Sequence, residues 1–156
     1  MIEDTSPETD WRLPAAKAAF NGTWDLIDKG PNRTEAEDRE MLASTGAQWF
    51  LWQTIGNTEQ LMIADWQVAH VLAWLGSGPL SLSFAAAALA RCEGEGWSDW
   101  RLASAYEGMA RAHAVAGDAG ERDRFAEAAR AVLATLDDPE DIEIVGSQLA
   151  TIPGLS

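Results

Sequence analysis

The segment "DWQVAHVLAWLG", residues 65–76, has the length of a helix but carries a charge only at its first residue. The low charge extends around it, since Glu59 and Asp65 are the only charged residues between positions 41 and 90. The chain of 156 residues as a whole has a formal net charge of -14. A surface helix of a monomer normally has one polar face. This uncharged middle is therefore expected to be covered by other helices, by a second subunit or by a ligand.

Composition and charge exclude several classes of protein. A hydrophobic fraction of 47% and a charged fraction of 23% are typical of a globular chain. The basic residues are few and scattered, so we expect no nucleic-acid partner and no binding to anionic membranes. Residues 66–90 lack charge, but "GSGP" divides them into halves too short to span a bilayer. Cys92 is the only cysteine, which favours a cytoplasmic location without disulfides.

Capping and turn signals divide the chain into about seven helices, and no stretch has a convincing strand pattern. "KGPN" ends the first helix, "TEAE" from Thr34 is a capping box, and Gly117 ends a later helix. Short loops between helices predict antiparallel neighbours. We expect a flexible acidic segment over residues 1–11 and a single all-α domain over residues 12–156. The expected helices span residues 12–28, 34–55, 59–75, 79–93, 99–116, 119–136 and 139–150.

Parts of the sequence repeat. The segment "ADWQVAH" at position 64 recurs as "SDWRLAS" at position 98, which pairs Trp66 with Trp100. Gly76 and Gly117 are each followed by Phe at an offset of eight and by Ala at an offset of eleven. The two glycines lie seven positions further apart than the two tryptophans. A seven-residue extension of the fifth helix, about two turns, is the predicted cause of that difference.

This pattern resembles the tetratricopeptide repeat, in which helix pairs with a period of about 34 residues stack side by side, the same spacing as that of the two tryptophans. The resemblance covers about residues 59–136 and extends to a group of small uncharacterised bacterial proteins with such repeats. It implies antiparallel helix pairs stacked as a short TPR-like solenoid. It also implies a concave side, to which Gln67, Trp74 and Arg101 would belong. Two sets of residues carry it: Trp66, Gly76, Phe84 and Ala87, and Trp100, Gly117, Phe125 and Ala128.

An aromatic stripe lies on the third helix, where Trp66, His70 and Trp74 are spaced i, i+4, i+8. The stripe is either plain packing or an aromatic wall whose imidazole serves stacking or proton transfer. Glu107 on the fifth helix has two possible partners. It either approaches His70 as an acid–base pair, or pairs with Arg111 one turn away on the surface.

Two further tryptophans, Trp49 and Trp52, lie about one turn apart on the second helix. Together with their neighbours Gln48, Phe50 and Gln53, they cannot all point in the same direction. At least one should face a groove, a subunit or solvent. Buried indole N–H groups need acceptors, and Gln48, Gln53 and Gln67 are the predicted ones. His70, Glu107 and His113 include no pair spaced i, i+3 or i, i+4, so neither metal nor cofactor is expected. Cys92 lies near a helix C-terminus, which raises the pKa of a thiol and argues against a nucleophilic role.

The sequence leaves two functions open. The first hypothesis is a non-catalytic module that binds a protein partner, or itself as a homodimer, through the uncharged middle. The alternative is a small-molecule-binding protein or pathway enzyme with an apolar pocket for a hydrophobic or aromatic ligand. If the chain is an enzyme, His70 and Glu107 are the candidate catalytic pair. The candidate binding residues are Trp49, Trp52, Trp66, Gln67, His70, Trp74 and Arg101.

Overall fold

The computed structural model describes residues 10–155, and within this range it contains seven α-helices and no strand. The all-helical prediction is thereby confirmed. Apart from Asp10 and Trp11, the acidic segment predicted over residues 1–11 lies outside the described residues. A short 3-10 turn, Gly30–Asn32, separates the first two helices. The helices are α1 (Arg12–Ile27), α2 (Glu35–Ile55), α3 (Thr58–Trp74), α4 (Gly78–Glu95), α5 (Trp100–Ala116), α6 (Ala119–Leu133) and α7 (Pro139–Ala150).

Most helix ends lie where the capping signals predict them. Thr34 forms the predicted capping box at the start of α2. Two helix starts differ from the prediction by one residue, because Asn57 caps α3, which begins at Thr58, and Asp99 caps α5, which begins at Trp100. Asn and Asp side chains accept a hydrogen bond from a first-turn N–H as well as Ser and Thr do. The helix α6 is shorter than expected, because it ends at Leu133 in a tight turn, three residues before its predicted end.

The helix α3 lies at the centre of the fold. It contacts α2, α4 and α5, and every residue from position 64 to position 73 is buried. The helices pack in adjacent pairs along the chain, and α5 also contacts both α3 and α7. Most of the segment 65–76 therefore lacks charge because neighbouring helices cover it. None of the helices in residues 10–155 combines the length and the apolar character that a bilayer span requires.

The C-terminal turns of α3 and α5 have matching backbone hydrogen bonds at the interval from Gly76 to Gly117, which we call the glycine spacing, and not at the shorter interval of the tryptophans. These glycines follow or end the two helices with positive φ angles of 76° and 84°, which glycine adopts without strain. Both helices have 17 residues, so the predicted extension of α5 is wrong. Trp66 lies in the middle of α3, whereas Trp100 is the first residue of α5. At the glycine spacing, the counterpart of Trp66 is Glu107.

Candidate functional site

A cluster of polar side chains is buried between α3 and α5. Trp66 Nε1 donates a hydrogen bond to Glu107 Oε2 at 2.9 Å, and Arg111 Nε donates to Glu107 Oε1 at 2.8 Å. His70 lies one turn after Trp66, with Nδ1 4.0 Å from Glu107 Oε2, which is beyond hydrogen-bond distance. Glu107 thus approaches His70 and also pairs with Arg111. The predicted surface position of that ion pair is wrong, because both side chains are buried.

The imidazole of His70 has an unusual environment. Its ring lies 5.6 Å from the rings of both Trp24 and Trp66, and neither ring nitrogen has a hydrogen-bond partner among the described residues. Burial lowers the pKa of His70 well below its usual range, and the positive charges of Arg111 and Arg33 lower it further. The ring is therefore neutral at pH 7, so that one nitrogen is a donor and the other an acceptor.

A cavity of about 320 Å³ lies beside His70 and Trp74, and we call it the α3–α7 cavity. A second cavity of about 140 Å³ has Trp74, Arg111 and Thr151 in its wall. Because Trp74 and Thr151 border both spaces, the two cavities adjoin. The other residues around the α3–α7 cavity come from α1, the 3-10 turn and α7: Ile27, Asp28, Gly30, Pro31, Ser147, Gln148 and Thr151.

Two arginines hold the walls of these cavities in place. Arg111 Nη2 donates to the Gln148 carbonyl and to the Thr151 hydroxyl, both at 2.7 Å, which ties α5 to the end of α7. The guanidinium of Arg33 lies 5.0 Å from the centre of the Trp74 ring. Trp74 itself is half-buried, and its indole N–H is buried without a hydrogen-bond partner among residues 10–155.

The tryptophans of α2 lie apart from this cluster. Trp49 Nε1 donates to Asp65 Oδ1 at 2.7 Å, and the Trp49 ring packs edge-on against Phe84 at 5.8 Å. Trp52 is buried and borders a separate, mainly apolar cavity of about 180 Å³ between α1, α2 and α3. The two side chains thus have different surroundings, and Trp52 is the one that borders a cavity. Neither of them lines the α3–α7 cavity.

The predicted glutamine partners of the indoles are wrong. The carboxylates of Asp65 and Glu107 accept the hydrogen bonds of Trp49 and Trp66. Gln67 Nε2 instead donates to a backbone carbonyl of α1 at 3.0 Å. Hydrogen bonds to an ionised acceptor are stronger than those to a neutral one, so a buried carboxylate is the better partner for an indole N–H. Asp65 also binds Arg91 Nε at 2.9 Å, which links α2, α3 and α4.

The residues expected on a concave side do not form one open groove. Gln67 is fully buried. Arg101 lies at the start of α5, where it pairs with Asp99 and with Glu59 and covers the ring of Trp97 at 4.4 Å. Of the predicted binding residues, the structure brings together Trp66, His70 and Trp74, and it leaves Trp49, Trp52, Gln67 and Arg101 elsewhere.

The outer sides of α2 over residues 42–54 and of α4 over residues 80–90 carry no charged residue, and we call them together the α2–α4 face. Both helices pack on α3, and the contact of Trp49 with Phe84 joins them. Three large apolar side chains are exposed there: Leu42 at 46%, Phe50 at 64% and Leu80 at 55%. The other exposed residues along these two stretches are uncharged and include Ala43, Gly46, Ala47, Gln53, Thr54, Ser83, Ala86 and Ala90. The exposed Arg39 lies one turn before Leu42, at the edge of the face.

Metal ligands and the thiol offer no further site. In the described part of the chain, no three His, Cys, Asp or Glu side chains are grouped so that they could hold a metal ion. Burial raises the pKa of the Cys92 thiol to about 11, so the predicted direction of the shift is confirmed. The main cause is burial rather than the helix end named from the sequence.

Sequence reasoning missed several residues of the cluster. Trp24, Arg33 and Thr151 come from distant parts of the chain, and no local spacing connects them to His70. The i, i+4 spacing of Glu107 and Arg111 was the one available signal, but it does not tell a buried pair from a surface pair. Comparison with known proteins finds no family model, no curated protein and no solved structure that matches this chain. Its function must be inferred from its own residues.

Proposed function

We propose that the chain is a non-catalytic self-association module in which the α2–α4 face of one copy binds the same face of a second. The observation that carries this proposal is the exposure of Leu42, Phe50 and Leu80 on an uncharged surface. Exposed apolar patches of this kind are typical of interaction sites. Two copies of a chain with a net charge of -14 repel each other, and the repulsion is smallest where neither surface is charged.

The shape of the face supports a second copy as its partner. Gly46 and Ala47 lie one turn before Phe50 and are exposed, so a facing helix can approach closely beside the phenyl ring. A large aromatic side chain beside small residues is a common arrangement of interface hot spots. In a two-fold dimer the same patch is used on both subunits, and an uncharged patch meets no like charge when it faces itself.

We also propose that the helix pairs form a short TPR-like solenoid whose repeat length is the glycine spacing. The contacts of α5 with both α3 and α7 support this arrangement, as do the matching ends of α3 and α5. The even-numbered helices then form the outer side and the odd-numbered helices the inner side. The α2–α4 face and the α3–α7 cavity lie on opposite sides of such a solenoid. A cytoplasmic location, expected from the single cysteine, belongs to the same proposal.

Sedimentation velocity at protein concentrations from about 1 to 200 µM tests self-association. The wild-type chain is expected to change from monomer to dimer over this range. Phe50→Glu places a charge in the centre of the α2–α4 face and is expected to weaken the dimer by roughly 30-fold or more. At about 1 µM, where the wild type is expected to be monomeric, its helix content and thermal unfolding midpoint should equal the wild-type values, because Phe50 is exposed.

The matched control is Ile144→Glu, the same kind of change at an exposed apolar residue of α7 outside the face. This variant is expected to dimerise as the wild type does. A wild-type chain that remains monomeric at the highest of these concentrations would refute the proposal. So would a dimer that Ile144→Glu dissociates and Phe50→Glu leaves intact.

A further inference from the structure

We infer that the α3–α7 cavity is a binding site for a small aromatic carboxylate, a function distinct from self-association. Two buried polar atoms without hydrogen-bond partners carry this inference. They are Nε2 of His70 and Nε1 of Trp74. Both side chains belong to the wall of the cavity.

Packing alone does not account for these atoms. A buried polar group without a partner costs roughly 1 to 3 kcal/mol, and the great majority of buried polar atoms in proteins are hydrogen-bonded. An apolar side chain of the same size at position 70 would fill the space between Trp24 and Trp66 without that cost. Nδ1 of His70 lies on the side of Glu107, 4.0 Å from Oε2. Nε2 of His70 and Nε1 of Trp74 belong to side chains one turn apart in the wall of one cavity, and we assign these two atoms as hydrogen-bonding groups for a ligand.

Residues at corresponding positions of α3 and α5 border the α3–α7 cavity and the cavity next to it. At the glycine spacing, His70 of α3 corresponds to Arg111 of α5, and Trp74 corresponds to Val115. Both pairs border the two adjoining cavities. The walls therefore come from equivalent turns of neighbouring helices, which makes the site a feature of the stacked arrangement rather than of one irregular loop.

The donors around the site favour an anion. Arg111 lies in the wall of the adjoining cavity, and Arg33 lies against the ring of Trp74. Each is ion-paired, Arg111 with Glu107 and Arg33 with Asp38. Nη1 of Arg111 and Nη2 of Arg33 nevertheless have no hydrogen-bond partner among residues 10–155 and remain available as donors.

The N–H groups of Trp74 and of the neutral His70 add two donors. Asp28 is the one carboxylate among the residues that line the two cavities, and it is exposed to solvent, where its charge is screened. Carboxylate oxygens match such a set of donors.

The apolar part of the wall favours a flat ring. Ile27, Pro31 and the indole of Trp74 border the cavity beside its polar groups. Its volume of about 320 Å³ is at the lower end of the range for small-molecule sites. A ring that stacks on Trp74 gains from its large apolar area. A carboxylate on a body of one or two rings therefore fits the space and the chemistry of the wall.

Benzoate is the probe for this site, and benzamide is its uncharged counterpart of the same shape. The side-chain resonances of the tryptophan indoles and of His70 are followed by NMR while each compound is added up to about 5 mM. Benzoate is expected to shift the signals of Trp74 Nε1–H and of the His70 ring. Its affinity should exceed that of benzamide by at least about tenfold, because only benzoate carries the charge.

Two variants remove the proposed ligand contacts. Trp74→Phe keeps an aromatic ring but removes the indole N–H, and His70→Met removes both nitrogens at similar volume. Each is expected to lower the affinity for benzoate at least about tenfold. His70→Met should also raise the thermal unfolding midpoint of the free protein, because it removes unpaired buried atoms. Trp49→Phe makes the same change outside the cavity and should leave benzoate binding unchanged.

Several outcomes would overturn the inference. Equal binding of benzoate and benzamide would refute the carboxylate assignment. Unshifted Trp74 and His70 signals over the whole benzoate titration would refute the site itself. The test does not depend on self-association, because Phe50→Glu is expected to bind benzoate with the wild-type affinity. Loss of the dimer with retained benzoate binding would separate the two functions.

Discussion

The charge state of His70 is set by the groups that surround its ring. Glu107 is the nearest acid and by itself would favour the imidazolium, but its oxygens already accept hydrogen bonds from Trp66 and Arg111. Burial and the charges of Arg111 and Arg33 act in the opposite direction and keep the pKa of His70 low. Protonation of His70 in the folded protein therefore requires the packing between α1, α3 and α5 to loosen.

Acid should destabilise the protein through this one residue. The pKa of His70 is lower in the folded state than its usual value of 6.5, so the folded state binds fewer protons than the unfolded state. Above pH 6.5 the ring is neutral in both states and its titration does not change the free energy of unfolding. As the pH falls from 6.5 toward the lowered pKa, only the unfolded state takes up the proton, and the free energy of unfolding decreases. The loss is at most about 1.4 kcal/mol per pH unit. Urea unfolding at about pH 7.5, 6.5 and 5.5 measures it.

Two variants separate His70 from other titrating groups. His70→Met should remove the loss of stability below pH 6.5. His113→Gln, which changes the other histidine of the chain, should keep it. An acid slope of wild-type size in His70→Met would show that a different group causes it.

For single residues, the sequence predicts which side chains share one face of a helix, but not which side chains of other helices they contact. The spacing of Trp66, His70 and Trp74 correctly predicts that they share one stripe of α3. It does not predict the neighbours of that stripe, because Trp24 and Glu107 belong to other helices. Side-chain partners across helices depend on packing angles that local spacing does not contain.

Among the helices, the contact of α3 with α5 depends on a glycine. A Cβ atom at Gly108 would lie 2.9 Å from Cδ1 of Trp66, closer than real Cβ atoms approach. The indole has little freedom to move away, because its N–H is bound to Glu107. Gly108 thus gives Trp66 the space that its hydrogen bond requires.

Gly108→Ala should therefore destabilise the protein, although alanine is the better helix former. The overlap with Trp66 costs roughly 1 to 3 kcal/mol and the gain in helix propensity is about 1 kcal/mol, which leaves a net loss of up to about 2 kcal/mol. Gly22→Ala in α1 is the matched control, since its Cβ would meet no atom within 4 Å. That variant should be stabilised by up to about 1 kcal/mol in urea unfolding. An equal gain in both variants would contradict the close contact.

The number and limits of the helices could be predicted because caps and turns are local. The levels of Trp66 and Trp100 within their helices could not, because their equivalence was inferred from two matching letters. Trp66 and Trp100 match in the sequence, yet they occupy different levels of their helices. Gly76 and Gly117 are the better markers, since a positive φ angle just after a helix fixes where it ends.

For the whole molecule, salt should strengthen the proposed dimer. The net charge of -14 repels a second copy, and the α2–α4 face contributes no ion pairs that salt would weaken. The screening length falls from roughly 20 Å at about 20 mM salt to less than about 5 Å at about 500 mM. Sedimentation velocity should therefore give a lower dissociation constant at the higher of these NaCl concentrations than at the lower. Weaker association at high salt would point to a charged interface elsewhere, and Phe50→Glu should stay monomeric at both concentrations.

The burial of α3 also has a consequence for how this sequence can diverge. A surface helix accumulates neutral substitutions on its outer side, but residues 64–73 have no such side. An exchange at one of these positions requires a compensating exchange in the helices packed around it. We therefore expect this segment to evolve more slowly than the rest of the chain. A distant relative should be recognisable there by its pattern of side-chain volumes after most identities elsewhere have been lost.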